Sequence, residues 1–225
     1  MSPDPLEAYE ELRAGFTAVV SHELRTPLAR ALALIESGLD PETVLEQVRA
    51  EVEQMTALVD DVLFLAELES GRAVVAFGPT KALPEIERVA ADFAERADRA
   101  DVRIEVEGGP DVELPLRPRM LEVVVQNLIE NALRYAGPGT TLRLRAEADG
   151  DARRFTAADD GAGVGEADAP RLFERFFRSD RARSSRGTGL GLAIVKHIVT
   201  TAGGTVSASS APGRGLEITC RFPAG

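Results

Sequence analysis

The sequence predicts a chain of two parts: an α-helical hairpin that closes into a dimeric four-helix bundle, then an α/β sandwich with helices on one face of a mixed sheet. Three observations carry this. Apolar residues recur at helical spacing through two long runs before residue 70, with one turn signal between them. Past Gly71 the pattern changes to short strand-like segments alternating with shorter amphipathic runs. The charge changes at the same place: residues 1–71 carry 15 acidic and 4 basic side chains, whereas residues 72–225 carry 22 of each. The border is therefore expected at Ser70-Gly71, giving domains 1–71 and 72–225.

The first helix is expected over residues 5–37. Leu12, Phe16, Val20, Leu24, Leu28, Leu32 and Ile35 form one apolar stripe, and His22, two residues from both Val20 and Leu24, points away from it toward solvent. Pro27 removes a backbone donor and can kink the helix. A turn follows at residues 37–41, where Asp40 suits an N-cap and Pro41 the first helical position. The second helix lines up Val44, Val48, Val52, Met55, Val59, Val62 and Ala66, broadened by Leu45, Leu58 and Leu65. Two antiparallel helices cannot close a core alone, so two hairpins are expected to pair as a homodimer with both His22 side chains outside.

In the second part, residues 74–77 read as a short strand, 81–98 as a helix and 102–107 as a strand. Residues 119–136 read as a helix, and 141–148 with 153–158 as a hairpin about Asp149-Gly150-Asp151. A last helix at 190–202, ended by Gly203-Gly204, precedes strands at 205–209 and 217–222.

Composition narrows the class. The chain has 225 residues, 44% of them apolar, and a formal charge of −11, enough for real cores and for solubility. An acidic helical module argues against a nucleic-acid partner. The single cysteine, Cys220, excludes an internal disulfide and reads as a core strand residue. No run approaches the roughly 18 apolar residues of a membrane span, and no signal-peptide pattern opens the chain.

Four clusters carry chemistry. The first is Ser21-His22-Glu23-Leu24-Arg25-Thr26-Pro27-Leu28. A neutral imidazole is a competent nucleophile, and the Glu23 carboxylate can take the proton of one ring nitrogen as the other attacks. The second is Gln126-Asn127-Leu128-Ile129-Glu130-Asn131-Ala132-Leu133-Arg134-Tyr135. Asn127 and Asn131 are four apart and share a helical face; carboxamide oxygens suit Mg²⁺, which takes few protein ligands when phosphates supply the rest. Arg134 lies on the same side, within reach of a phosphate. The third is Asp159-Asp160-Gly161-Ala162-Gly163 at a strand end, and the fourth is Gly187-Thr188-Gly189-Leu190-Gly191, opening a helix whose unpaired N–H groups make a phosphate cradle. Between the last two, residues 171–186 hold Phe173, Phe176 and Phe177 among six arginines, opposed only by Glu174 and Asp180. Singly, each cluster has an ordinary structural reading as surface pair, polar helix face, turn or glycine-rich loop.

Together, in this order, they resemble a known family. The octapeptide resembles the phosphoacceptor box of sensor histidine kinases of the commonest subtype, with Glu after the His and Thr three residues further on. The other clusters resemble the boxes of the GHKL, or Bergerat, ATP-binding fold, and residues 171–186 resemble its ATP lid. The resemblance implies that His22 is phosphorylated, that Glu23 is its acid/base helper, and that Thr26 orients water when the site works as a phosphatase. It implies ATP and Mg²⁺ as cofactors, with Asn127 and Asn131 at the metal. The nucleotide contacts it implies are Arg134, Tyr135, Asp159, Gly161, Gly163, Gly187, Thr188, Gly189, Leu190 and Gly191. Asp159 would accept from the adenine amino group, with the glycines letting the backbone pass close to the base. Phe176 would anchor the lid, mobile without nucleotide, and Arg178 or a neighbour would offset triphosphate charge. The implied partner is a response-regulator receiver domain, and the implied place is the cytoplasm, the input coming from another chain or from a longer protein of which this is the cytoplasmic part. Departures are Asp160 where Asn is usual, Arg117 where Asp often precedes Pro118, and Ala202 where His is frequent. His197 reads as structural. Two alternatives remain: an ATPase of the same fold, which would need a catalytic Glu at the position of Asn127 whereas Glu130 lies about 100° around the helix from Asn131, and a non-catalytic dimeric scaffold.

Overall fold

The computed structural model describes residues 5–70, 78–179 and 187–223, with side chains in the first helix from Thr17 onward. The expected strand at 74–77, and the lid from Asp180 to Arg186, lie outside the described residues. The chain divides into two units: one runs up to Leu63 and includes Gly187 and Thr188, and the other holds the remaining described residues from Phe64 on.

The first unit is the helical hairpin, α1 (Pro5–Ile35) and α2 (Pro41–Glu69, whose last turns belong to the second unit). The turn is built as its residues require: Asp40 Oδ1 accepts the Thr43 N–H at 3.0 Å, and Pro41 opens α2. The Thr43 hydroxyl, and after it the Thr43 N–H, hold the Asp40 carboxyl below the usual carboxylate range. The single stripe expected on α1 is instead split. Pro27 and Ala31 are buried and Leu24 and Leu34 half-buried, whereas Leu28, Leu32 and Ile35 are exposed. The reason is geometric: each four-residue step advances about 40° beyond a full turn, so a run of such steps walks around the helix. On α2, Leu58 is buried, while Leu45 (70% exposed), Val52, Val59 and Leu63 face out. Each helix therefore carries a second apolar face.

The second unit is an α/β sandwich. Its five-stranded sheet runs β2 (Val102–Gly108), β4 (Thr140–Asp149), β5 (Ala152–Asp159), β7 (Leu216–Pro223), β6 (Thr205–Ser210), with β2 parallel to β4 and the other pairs antiparallel. A second, two-residue pairing joins β1 (Thr80–Lys81) to β3 (Glu113–Leu114). Helix α5 (Pro118–Tyr135) contacts both α3 (Ala82–Asp92) and α6 (Gly191–Thr201), and all three contact the sheet. Alternation along the strands puts Leu142, Leu144, Phe155, Ile218, Cys220 and Phe222 in the core with Ile86, Leu121, Val124, Ile129, Ile194 and Ile198. The other side chains of the strands form ion pairs: Arg143 with Glu105 at 3.2 Å, Arg145 with Glu147 at 3.0 Å, and Arg154 with Glu147.

The single helix expected at 81–98 is two, broken at Phe93, with α4 (Ala94–Ala100) continuing beyond the expected end. Phe93, at φ −97°, ψ −2°, is the junction residue, with its buried ring under the Arg96 guanidinium, 4.7 Å from the centroid. α4 then ends on Asp101 in the left-handed conformation (φ 53°), which Asp tolerates better than most residues. β3 and the 3₁₀ turn Ala169–Phe173 are too short for a periodic signal. Cys220 is fully buried, and loss of hydration pushes its thiol up to about 12. A thiol reagent at pH 8 should therefore label the native chain at a small fraction of the rate seen after unfolding in denaturant, checked by absorbance of the released chromophore.

Candidate active site

In the hairpin, His22 is exposed, with 74% of its side-chain surface in solvent. Its Nδ1 stands 3.5 Å from Glu23 Oε1, the limit of a hydrogen bond. The neighbouring hydroxyls bind the helix's own carbonyls: Ser21 Oγ donates to Thr17 O at 2.8 Å and Thr26 Oγ1 to His22 O at 3.2 Å. Pro27, with no N–H, leaves the Glu23 carbonyl, on the residue next to His22, without its intrahelical donor. In the same unit Thr188 Oγ1 donates to Asp61 Oδ2 of α2 at 2.7 Å, a contact with no local sequence signal, and Gly187 is buried.

In the second unit, α5 is fixed by its buried face, leaving Asn127 and Asn131 half-buried side by side along the helix and Arg134 exposed. Asn127 Nδ2 donates to Val123 O at 2.8 Å, which turns Oδ1 toward the start of α6. Among the described residues nothing donates to that oxygen. A methyl at Gly191 would stand 2.4 Å from it, so glycine is required there for space rather than for backbone freedom. Glu130 is engaged elsewhere, in an ion pair with Arg96 of α4 at 3.1 Å. Tyr135 is half-buried in the last turn of α5. A pair of carboxamides beside a helix start is a donor set that fits Mg²⁺ bound mainly by phosphate oxygens.

Asp159 ends β5, half-buried. Its Oδ1 accepts two backbone N–H groups, from Gly161 at 2.9 Å and from Leu216 at 3.3 Å, which among the described residues leaves Oδ2 as the free acceptor face. Burial raises its carboxyl above the usual value; the two N–H groups oppose this, and the neighbouring Asp160 adds to it. Asp160 points away and caps β4 instead, accepting the Thr141 N–H at 2.7 Å, a role Asn would fill equally well. Gly161 and Gly163 are packed against protein backbone: a methyl on either would stand 2.3 Å from a carbonyl oxygen, Ala136 O or Ala211 O. Sequence reading missed the residues that hold this loop, namely Ser210, Gly213, Gly215 and Leu216. The Gly213-Arg214-Gly215 turn was the available signal.

At the fourth cluster Gly189 takes φ +69°, and a methyl there would stand 2.8 Å from Phe176 Cα. Phe176 is itself left-handed at φ 61°, and its N–H donates to Gly189 O at 2.9 Å. A bulky residue in that basin is strained, and the Gly189 contact holds Phe176 there. Leu190 is completely buried, so it belongs to the core rather than to an open surface. Arg178 is half-buried; Arg171 pairs with Glu174 at 3.3 Å and lies 4.3 Å over the Phe177 ring.

Residues 12–71 match the family described as the His Kinase A (phospho-acceptor) domain, and residues 116–225 the family of histidine kinase-, DNA gyrase B- and HSP90-like ATPases. The Burkholderia pseudomallei sensor protein IrlS is 35% identical over 218 residues, 93% of this chain and 47% of that protein. Among solved structures, a mycobacterial sensor histidine kinase, MprB, is 30% identical, with a TM-score of 0.58 over 65% of this chain and 97% of that one. Acinetobacter baumannii histidine kinase AdeS is 26% identical, with a TM-score of 0.75 over 91% of this chain and 98% of that one. The chain belongs to the sensor histidine kinases of two-component systems. It spans about half the length of the curated relatives it matches.

The raised Asp159 carboxyl has a stability consequence. A group whose folded value lies above its ordinary 3.8 favours the fold most when protonated, at low pH, and loses that contribution as pH rises through the raised value. Asp159→Asn keeps the acceptor for both N–H groups without the buried charge, so its Tm should exceed that of the native chain at pH 7. The gain should vanish below about pH 4, measured by calorimetry across pH.

Proposed function

We propose that the chain is an ATP-dependent protein histidine kinase core that phosphorylates itself on His22 and passes the phosphoryl group to an aspartate of a response-regulator receiver domain. The observation that carries this is the His22–Glu23 pair: an exposed imidazole on the helical hairpin with a carboxylate at Nδ1. In the tautomer with Nδ1 protonated, Nε2 holds the lone pair. It forms a bond to the γ-phosphorus while the bond from that phosphorus to the β–γ bridging oxygen breaks, and the Nδ1 proton passes to Glu23. Proton transfer of this kind contributes roughly 10²–10⁴-fold; positioning and charge neutralisation supply the rest.

ATP is the substrate. Asp159 Oδ2 accepts from the adenine amino group, and Arg134 and Arg178 meet phosphate charge. Asn127 and Asn131 would hold Mg²⁺, which neutralises the phosphates when bound. Gly187, Thr188, Gly189 and the start of α6 carry the phosphate cradle, and Phe176 anchors the lid. Thr26 orients water for regulator dephosphorylation. The exposed apolar faces, Leu28, Leu32 and Ile35 on α1 with Leu45, Val52, Val59 and Leu63 on α2, support a homodimer of hairpins. The working domains are 1–71 for dimerisation and phosphotransfer and 72–225 for nucleotide, and the working place is the cytoplasm, alone or as part of a membrane-associated sensor. Among the described residues no helix is long and apolar enough to cross a membrane. Against the ATPase alternative stand Asn127 at the position where that class needs a catalytic Glu and the engagement of Glu130 in an ion pair with Arg96.

Incubated with Mg²⁺ and γ-labelled ATP, the protein should take up label that is lost in acid and kept in alkali, and His22→Gln should take up none while still binding ATP. Acid-labile label on that variant would sink the assignment. Asn131→Asp should weaken Mg-ATP binding about tenfold or more, read by titration calorimetry. Thr26→Ala should autophosphorylate normally and dephosphorylate a regulator more slowly; equal loss of both would make Thr26 structural.

A further inference from the structure

Asp159 can select a nucleobase only if its free oxygen is held in one direction, and the two N–H groups on Oδ1 are what hold it. One of them, Leu216 N–H, comes from the first residue of β7, 57 positions away along the chain. The turn that delivers it is tied to the 159–164 loop at several points. Gly213 N–H donates to Ala162 O at 2.8 Å and Gly215 N–H to Gly161 O at 2.9 Å. Gly215, at φ +76°, has no room for a side chain, since a methyl would fall 1.8 Å from Asp159 O.

Ser210 is the side chain that joins the two segments. Its Oγ accepts the Val164 N–H at 2.8 Å and donates to Gly215 O at 2.6 Å. It is half-buried, the last residue of β6, and the register partner of Leu216. The carbonyl it holds and the N–H that reaches Asp159 belong to the same peptide unit. A trans peptide is planar with its C=O and N–H opposed, so fixing the direction of the Gly215 carbonyl fixes the direction of the Leu216 N–H. We infer that Ser210 is a positioning residue for base selection: through the Gly215–Leu216 peptide it orients Asp159 toward a base carrying an exocyclic amine. This rests on the nucleotide-site reading above.

The test is the discrimination between ADP, which carries a 6-amino donor, and IDP, which carries a 6-oxo acceptor, measured as two dissociation constants by calorimetry. Ser210→Ala should weaken ADP about tenfold and IDP less than about twofold, the loss of one oriented hydrogen bond. Ser210→Cys, which keeps the volume and weakens both bonds, should move the ratio the same way, and Ser210→Thr should restore it. Equal weakening of both nucleotides, or an unchanged ratio in both Ser210→Ala and Ser210→Cys, overturns the positioning role. Asp159→Asn separates the two levels of the argument. If that variant keeps the native ADP preference, the base-site reading fails and this one with it. If it loses the preference while Ser210→Ala and Ser210→Cys retain it, only the role of Ser210 is overturned.

Discussion

The burial of one face of the sheet under α3, α5 and α6 is the constraint from which the second unit follows. Hydrophobic burial is not directional, but a strand alternates and a helix turns, so once Leu142, Leu144, Phe155 and Ile218 face Leu121, Val124 and Ile129, every other side chain on those elements has its direction assigned. Asn127 and Asn131 are brought to the border of the core because Val124, Leu128 and Ala132 are inside it. Asp159 is half-buried because Phe155 and Ala157, on the same strand, are inward. The polar groups are thus placed by residues that never touch a nucleotide.

The hairpin obeys the same physics with a different outcome. A lone pair of helices has too little surface to cover both of its apolar faces, and the exposure of Leu28, Leu32 and Ile35 from the expected stripe, beside the buried Pro27 and Ala31 that lie off it, shows the surplus directly. His22 lies away from that competition. Its exposure follows from its position two residues from Val20 and Leu24 and needs no special device.

Much of this was legible because the signals are local. The Asp40-Pro41 start of α2, the hairpin of β4 and β5, the carboxamide face of α5 and the end of β5 at Asp159 each depend on neighbours within a few residues. What was not legible is non-local. The break at Phe93 reflects a buried ring rather than a helix breaker, and Thr188 with Asp61 or Ser210 with Val164 are joined across 127 and 46 residues. Glycines were legible as glycines but not by cause. Gly161 and Gly191 are where another part of the chain comes too close for a methyl, whereas Gly189 and Gly215 also need the left-handed basin.

The contact between Gly191 and Asn127 carries a mechanical consequence. The buried side chains of α5 and α6 are otherwise aliphatic or methionine, and such surfaces slide past one another at little cost and transmit little direction. Beside Gly191 the spacer is a planar amide, pinned at its nitrogen by the Val123 carbonyl and with its oxygen where a side chain of α6 would otherwise stand. A displacement of the first turn of α6 along its own axis has no compressible layer in which to dissipate there. It acts as a lever on the Asn127 amide, so the two helices register small shifts at a side chain rather than averaging them through the core.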